Sequence, residues 1–307
     1  NQLTQKNIVK GFFEDLMQGH AELEDSLKQR AHFLGCDLNK LHAAVIIEMT
    51  NIEQQAIETT ARTIQKDHTS TRAAQNGEGA NNEQDTQLQT IYRRISSVVR
   101  RRIQDIYPGS VFDEHENIIT CIIPLRDQSG ERLKSWLHDL AQQIYREYEV
   151  FLSIGIGNSC QHIVEYRRGF AEAKEALQLG QDLRVWREEQ EVEDQPLVTH
   201  FNDLGVYRYL YKIAHMDDLR DVYQEQVARI DRYDKRKNTD LLATLEMYLE
   251  CAGNLTKTSE RLFVHRNTLI QRLERLQALC DIDIQDRGNW LTLQVAIKVY
   301  RLRQEQV

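Results

Sequence analysis

The sequence predicts an α/β domain, a sheet with flanking helices, followed by an all-α domain that carries a helix-turn-helix. Two observations predict it. Between His42 and Phe201, short runs rich in branched residues alternate with amphipathic stretches, the pattern of helices packed on a sheet. Beyond Leu204 the pattern is helical, and Gly253 to Leu276 (GNLTKTSERLFVHRNTLIQRLERL) has the layout of two short helices joined by a tight turn. A chain of 307 residues is long enough for two domains with real cores. The expected division is a helical segment over 1–38, the α/β domain over 39–203, a helical linker over 204–237 and the helix-turn-helix domain over 238–307.

The first thirty-four residues are helical in pattern: Ile8, Phe12, Phe13, Leu16 and Met17 make one apolar stripe, and Leu23, Leu27, Ala31 and Leu34 a second after the Gly19-His20 break. His42 to Met49 (HAAVIIEM) reads as a buried strand. A helix is expected from Ile52 to about Lys66, then a polar loop from Asp67 to Asp85, then an amphipathic helix from Leu88 to Ile106. Pro108-Gly109 is a turn. Ser110 to His115 and Ile118 to Pro124 should pair as a hairpin about Glu116-Asn117. A helix from Glu131 to Tyr148, a strand from Val150 to Ile156, a helix from Ile163 to Leu179 and an acidic loop from Glu188 to Asp194 follow. Leu197 to Phe201 adds a last strand, and helices from Leu204 to about Asp231 lead to a hinge at Tyr233 to Asn238.

Within the helix-turn-helix, Asn254 can cap a first helix, because its side chain accepts N–H bonds that a helix start leaves unpaired. Gly253 suits the left-handed end of the preceding helix. The first helix is then Leu255 to Leu262, the turn Phe263 and Val264, and the second helix starts near His265. On it Leu269, Leu273 and Leu276 recur at spacings of four and three and form one inward stripe. Asn267, Gln271 and Glu274 lie on the opposite side, flanked by Arg266, Ile270 and Arg275.

Composition is that of an ordinary soluble protein, 41% hydrophobic and 28% charged, with no run approaching the length needed to span a bilayer. The net charge of −8 is uneven: from Arg236 onward 11 Lys and Arg stand against 9 Asp and Glu, a net +2, which leaves −10 for the rest. A mildly basic end on an acidic body fits a DNA-reading module attached to something else. The five cysteines are odd in number and lack CxxC spacing, so they read as reduced thiols of a cytoplasmic protein rather than a disulfide frame or zinc site.

The C-terminal residues LLATLEMYLECAGNLTKTSERLFVHRNTLIQRLERL, with the closing LTLQVAIKVYRL, resemble the C-terminal domain of the PucR/CdaR family of bacterial regulators. FVHRNTL is the most specific string, and its helix-turn-helix is similar to that of the Fis protein. FLSIGIGNS followed by YRRGFAEAKEALQLG resembles the family's GGDEF-like domain, a degenerate relative of diguanylate cyclases. The resemblance implies transcriptional control, frequently by a homodimer or higher homo-oligomer, with duplex DNA as partner. Many members carry a sensory domain ahead of a helix like Ile8 to Met17; none stands here, and the start at Asn1 rather than Met fits removal of an upstream portion.

In a helix-turn-helix the start of the second helix reaches base edges while the first crosses the backbone. Arg266 can reach guanine O6 and N7, Asn267 and Gln271 can pair with adenine or another base edge, and Ile270, solvent-facing by the helical count, suits a thymine methyl. Family members often carry a basic residue in place of Ile270. Thr256, Lys257, Thr268, Arg272 and Arg275 are candidates for phosphate contacts, which set register. The bland reading of the same residues is a solvated face of a helical bundle.

An active nucleotide cyclase of this fold needs a hairpin with paired glycines, for close approach of the nucleotide, and acids for its cations. The hairpin here is SVFDEHENII, without the glycines. Glu48, Asp113 and Glu114 are candidate ligands for a residual metal site, against the simpler reading of an exposed acidic turn. Gly155 and Gly157 fit a strand end better than a nucleotide cradle. The expected function is a DNA-binding regulator of the cytoplasm, not an enzyme, without cofactor, whose α/β domain serves dimerisation or signal relay. The sequence names no small-molecule effector. A nucleotide sensor or cyclase-like enzyme built on the α/β domain is the alternative, and a pure protein-interaction module the third.

Overall fold

A computed structural model of the chain describes residues 2–18, 24–50, 77–127, 130–186, 196–214, 216 and 221–304. They form two compact units, 1–205 and 206–307. The expected helix from Ile52 to Lys66 and the acidic loop from Glu188 to Asp194 lie outside the described residues, as does Leu23 of the second stripe.

The first unit opens with α1 (Gln2–Gln18) and α2 (Glu24–Phe33), then β1 (His42–Thr50), α3 (Gly77–Ile106), the hairpin β2 (Val111–His115) and β3 (Ile118–Pro124), α4 (Glu131–Tyr148), β4 (Phe151–Cys160), α5 (Ile163–Trp186) and β5 (Leu197–His200). The sheet order is β2-β3-β1-β4-β5, antiparallel except for the β4–β5 pair. Alternation along β1 splits it between two cores. Val45, Ile47 and Met49 pack with Ile95, Val99 and Ile103 of α3 and with Leu133, Leu137 and Ile144 of α4. Ala44 faces the other way, with Ile122 and Val111, against Phe12, Phe13 and Leu16 of α1 and Tyr166 and Phe170 of α5.

Three expectations need correction. The polar loop from Asp67 to Asp85 is helical over its end, because α3 starts at Gly77. Ala80, Glu83 and Gln84 are good helix formers, and a helix once nucleated adds a hydrogen bond per residue as it extends. Gly155 and Gly157 do not end a strand: β4 continues to Cys160, and both are interior. A Cβ built on Gly155 would lie 2.1 Å from the Ala173 carbonyl oxygen, and one on Gly157 2.1 Å from that of Gly169. They let α5 lie flat on β4, with no room for a nucleotide. Finally, Tyr233 to Asn238 is not a hinge.

The second unit shows why. It holds α6 (Tyr207–Ala214), α7 (Val222–Lys237), α8 (Leu241–Glu250), α9 (Leu255–Arg261), α10 (Arg266–Leu279) and α11 (Arg287–Gln304). Helix α7 runs unbroken through Lys237 and stops at Asn238 in the left-handed conformation. The Asp234 carboxylate then accepts from the backbone N–H of Leu241 at 2.9 Å and of Leu242 at 2.8 Å, capping α8 across the joint. The helices expected as a linker contribute Val227 and Ile230 to the unit's core, beside Leu245, Leu249, Leu293 and Ile297. Arg303 donates to the carbonyls of Ala214 and Met216, which ties α11 to the end of α6.

Candidate nucleic-acid interface

Helix α8 ends in a six-to-one turn: the Gly253 N–H donates to the Tyr248 carbonyl at 2.9 Å, with Ala252 (φ 50) and Gly253 (φ 74) both left-handed. Gly253 is required twice over, since a Cβ there would meet the Trp290 ring at 2.5 Å. The Asn254 side chain accepts from the Lys257 N–H at 3.0 Å and starts α9. Thr258, buried in that helix, donates to the Asn254 carbonyl. The chain then turns through Phe263 (φ 53), with the Val264 N–H donating to the Ser259 carbonyl. His265 caps α10: its Nδ1 accepts from the Asn267 N–H at 3.2 Å.

Leu269, Leu273 and Leu276 are buried and pin α10 against Leu245, Tyr248 and Leu249 of α8. The outer face holds the residues singled out from sequence. Arg266, Asn267, Thr268, Gln271 and Arg275 are exposed, as are Thr256 and Lys257 on α9. None of these seven side chains makes a hydrogen bond or ion pair among the described residues. Several other cations of the unit are engaged: Arg229 with Asp281, Arg261 with Glu250, Arg301 with Glu246.

Two predicted site residues sit differently. Arg272 donates to Thr244 Oγ1 at 3.0 Å and lies 3.5 Å from the Asp240 carboxylate. Its guanidinium holds α10 to α8, so it is not a free phosphate contact. Ile270 is half-buried rather than solvent-facing. The cap itself comes from His265, and a polar residue just before a helical run was the sequence signal for it.

The metal candidates do not converge. Asp113 and Glu114 are neighbours on β2 and point to opposite faces. Glu114 pairs with Arg100 of α3 at 3.3 Å, while Asp113 lies near Lys10 and Glu14 of α1, its carboxyl pushed above the usual range by burial. Glu48 accepts from Gln181 at 2.9 Å, and the Asn117 amide lies 3.5 Å away. It stands two strands from β2, about 9–10 Å by strand spacing, too far to share an ion with Asp113. No group of three or more His, Cys, Asp or Glu side chains among the described residues is placed to hold a metal. A groove of about 540 Å³ does open beside Glu48, lined also by Thr120, Phe170, Lys174 and Gln178. All five cysteines are unpaired; burial pushes the Cys36 and Cys160 thiols up to about 12 and that of Cys280 to about 11. No described helix is long and apolar enough to cross a membrane.

Comparison with known proteins agrees with this geometry. The PucR C-terminal helix-turn-helix domain matches residues 241–299, and the GGDEF-like domain matches residues 18–179. The purine catabolism regulatory protein of Bacillus subtilis (strain 168) is 30% identical over 168 residues, 55% of this chain and 30% of that protein. The DNA-binding transcriptional activator AdeR of the same organism is 22% identical over 289 residues, 94% of this chain and 58% of its own. The proline-responsive transcriptional activator PutR, also from that organism, is 29% identical over 133 residues, 43% of this chain and 30% of its own. The chain thus spans between 30% and 58% of the length of these relatives. With both domains matched in order, the chain belongs to the PucR/CdaR family of bacterial transcription regulators, a GGDEF-like domain followed by a PucR-type helix-turn-helix.

Proposed function

We propose that the chain regulates transcription by placing α10 in the major groove of operator DNA, with Arg266, Asn267 and Gln271 at base edges and the exposed part of Ile270 available to a thymine methyl. Thr256, Lys257, Thr268 and Arg275 contact phosphates. The observation that carries this reading is the front of α10 and α9: polar and cationic side chains held on a pinned, capped frame, with no partner among the described residues. As a homodimer the protein presents two copies of α10 about 34 Å apart, matching half-sites one helical turn apart. Its place of work is the cytoplasm, with the DNA.

Fluorescence anisotropy with duplexes from upstream of neighbouring genes tests the reading. Binding should weaken steeply with salt, the slope of log K against log salt being about −0.9 for each phosphate neutralised. Affinity that ignores salt, or no binding to any duplex, overturns it. The GGDEF-like domain serves dimerisation or signal relay and makes no cyclic dinucleotide, because its hairpin lacks paired glycines and its acids face apart. Turnover of GTP with Mg²⁺ or Mn²⁺ would overturn that part alone.

A further inference from the structure

The turn between α9 and α10 carries two side chains that the fold does not use as a bland turn would. Leu262 and Val264 tuck in against the core of the second unit, but Phe263 between them is 95% exposed. Its backbone is left-handed at φ 53, a conformation glycine adopts without steric cost and a phenylalanine does not. The position therefore holds a large aromatic ring in water on a strained backbone, where glycine would relieve both penalties. Two residues on, His265 caps α10 through Nδ1, which accepts the Asn267 N–H. With Nδ1 accepting that bond, Nε2 carries the ring N–H, a donor on an exposed ring at the edge of the reading face.

An exposed ring and an exposed N–H donor, within about 7 Å along the chain, match an amphipathic ligand with alternating apolar and anionic groups. The sugar-phosphate strand of duplex DNA has that character, and the turn is continuous with Arg266 and Asn267. Resting on the reading of α10 as the DNA-facing helix, we propose that the turn grips one strand of the duplex. His265 Nε2–H donates to a phosphate oxygen, and the Phe263 ring packs on an adjacent deoxyribose. Neither contact reads sequence; both fix how deeply and in which register α10 enters the groove.

The test uses the full chain carrying Phe263→Gly or His265→Asn. Glycine tolerates the left-handed turn and asparagine is a strong N-cap, so both variants should melt no lower than the unmodified protein. Each should weaken binding about threefold or more, by the same factor on an operator duplex and on a random duplex. Unchanged affinity for both variants overturns the proposal. So does a loss confined to the operator duplex, or a change of oligomeric state at constant DNA affinity, which would mean that the ring meets a second copy of the chain. If the unmodified protein binds no duplex, the reading of α10 falls as well. If Arg266→Ala weakens binding and the turn variants do not, only the grip of the turn is lost.

Discussion

The β2–β3 hairpin and the front of α10 both carry candidate chemistry, and they dispose of it in opposite ways. On the hairpin, Asp113 and Glu114 alternate to opposite faces; Glu114 is paired with Arg100, and Glu48 of the adjoining β1 accepts from Gln181. On α10, the helical period gathers Arg266, Asn267 and Gln271 on one side, and none has a partner among the described residues. A strand disperses neighbouring residues where a helix collects residues three and four apart. The contrast teaches that a cluster of acids in sequence is no site until the backbone makes it converge, whereas a capped helix converges by its geometry.

The largest way to break the comparison is to remove what holds α10 in place. Leu269→Ala empties a fully buried position and should cost about 2–5 kcal/mol in denaturant unfolding, with DNA binding lost alongside. Arg266→Ala should instead leave the melting temperature unchanged and cost about 1–3 kcal/mol on the specific duplex. In the same anisotropy assay Glu48→Gln should bind like the unmodified protein; a loss there would mean that the hairpin side takes part after all. Asn254→Ala removes the cap of α9 and should lower stability by about 1 kcal/mol, read as a shift in the unfolding midpoint.

The smallest effect concerns Asp113. Burial raises its carboxyl above the ordinary 3.8, so the folded state holds the proton more tightly than the unfolded chain. The penalty is absent below the unfolded value, grows as pH rises through the folded one, and persists at neutral pH. Asp113→Asn should therefore raise the unfolding midpoint slightly at pH 7, with no gain at pH 3. Equal effects at both pH values would show that the charge is not the cause.

Much of the fold was legible in the residues. Compact runs rich in branched residues located β1 and the hairpin, and the spacing of Leu269, Leu273 and Leu276 located the buried side of α10. What was not legible depended on partners beyond the reach of a single helical turn. YDKRKN reads as a polar break, yet Asp234 caps α8 and Tyr233 packs on the core, so the helix continues. Arg272 reads as a surface cation, but Thr244 and Asp240, about thirty residues earlier, take its donors. Ile270 counts as outward on an ideal wheel and is half-buried.

The sequence by itself determined the family, the capped helix-turn-helix and the absence of paired glycines on the hairpin, because caps, turns and helical periodicity are local and act within a few residues. Only the tertiary structure decided which charges stay free and that Gly155 and Gly157 serve the packing of α5 on β4. Those outcomes depend on groups far apart in the chain meeting in space, and pairing across such distances is set by packing, which no local pattern encodes.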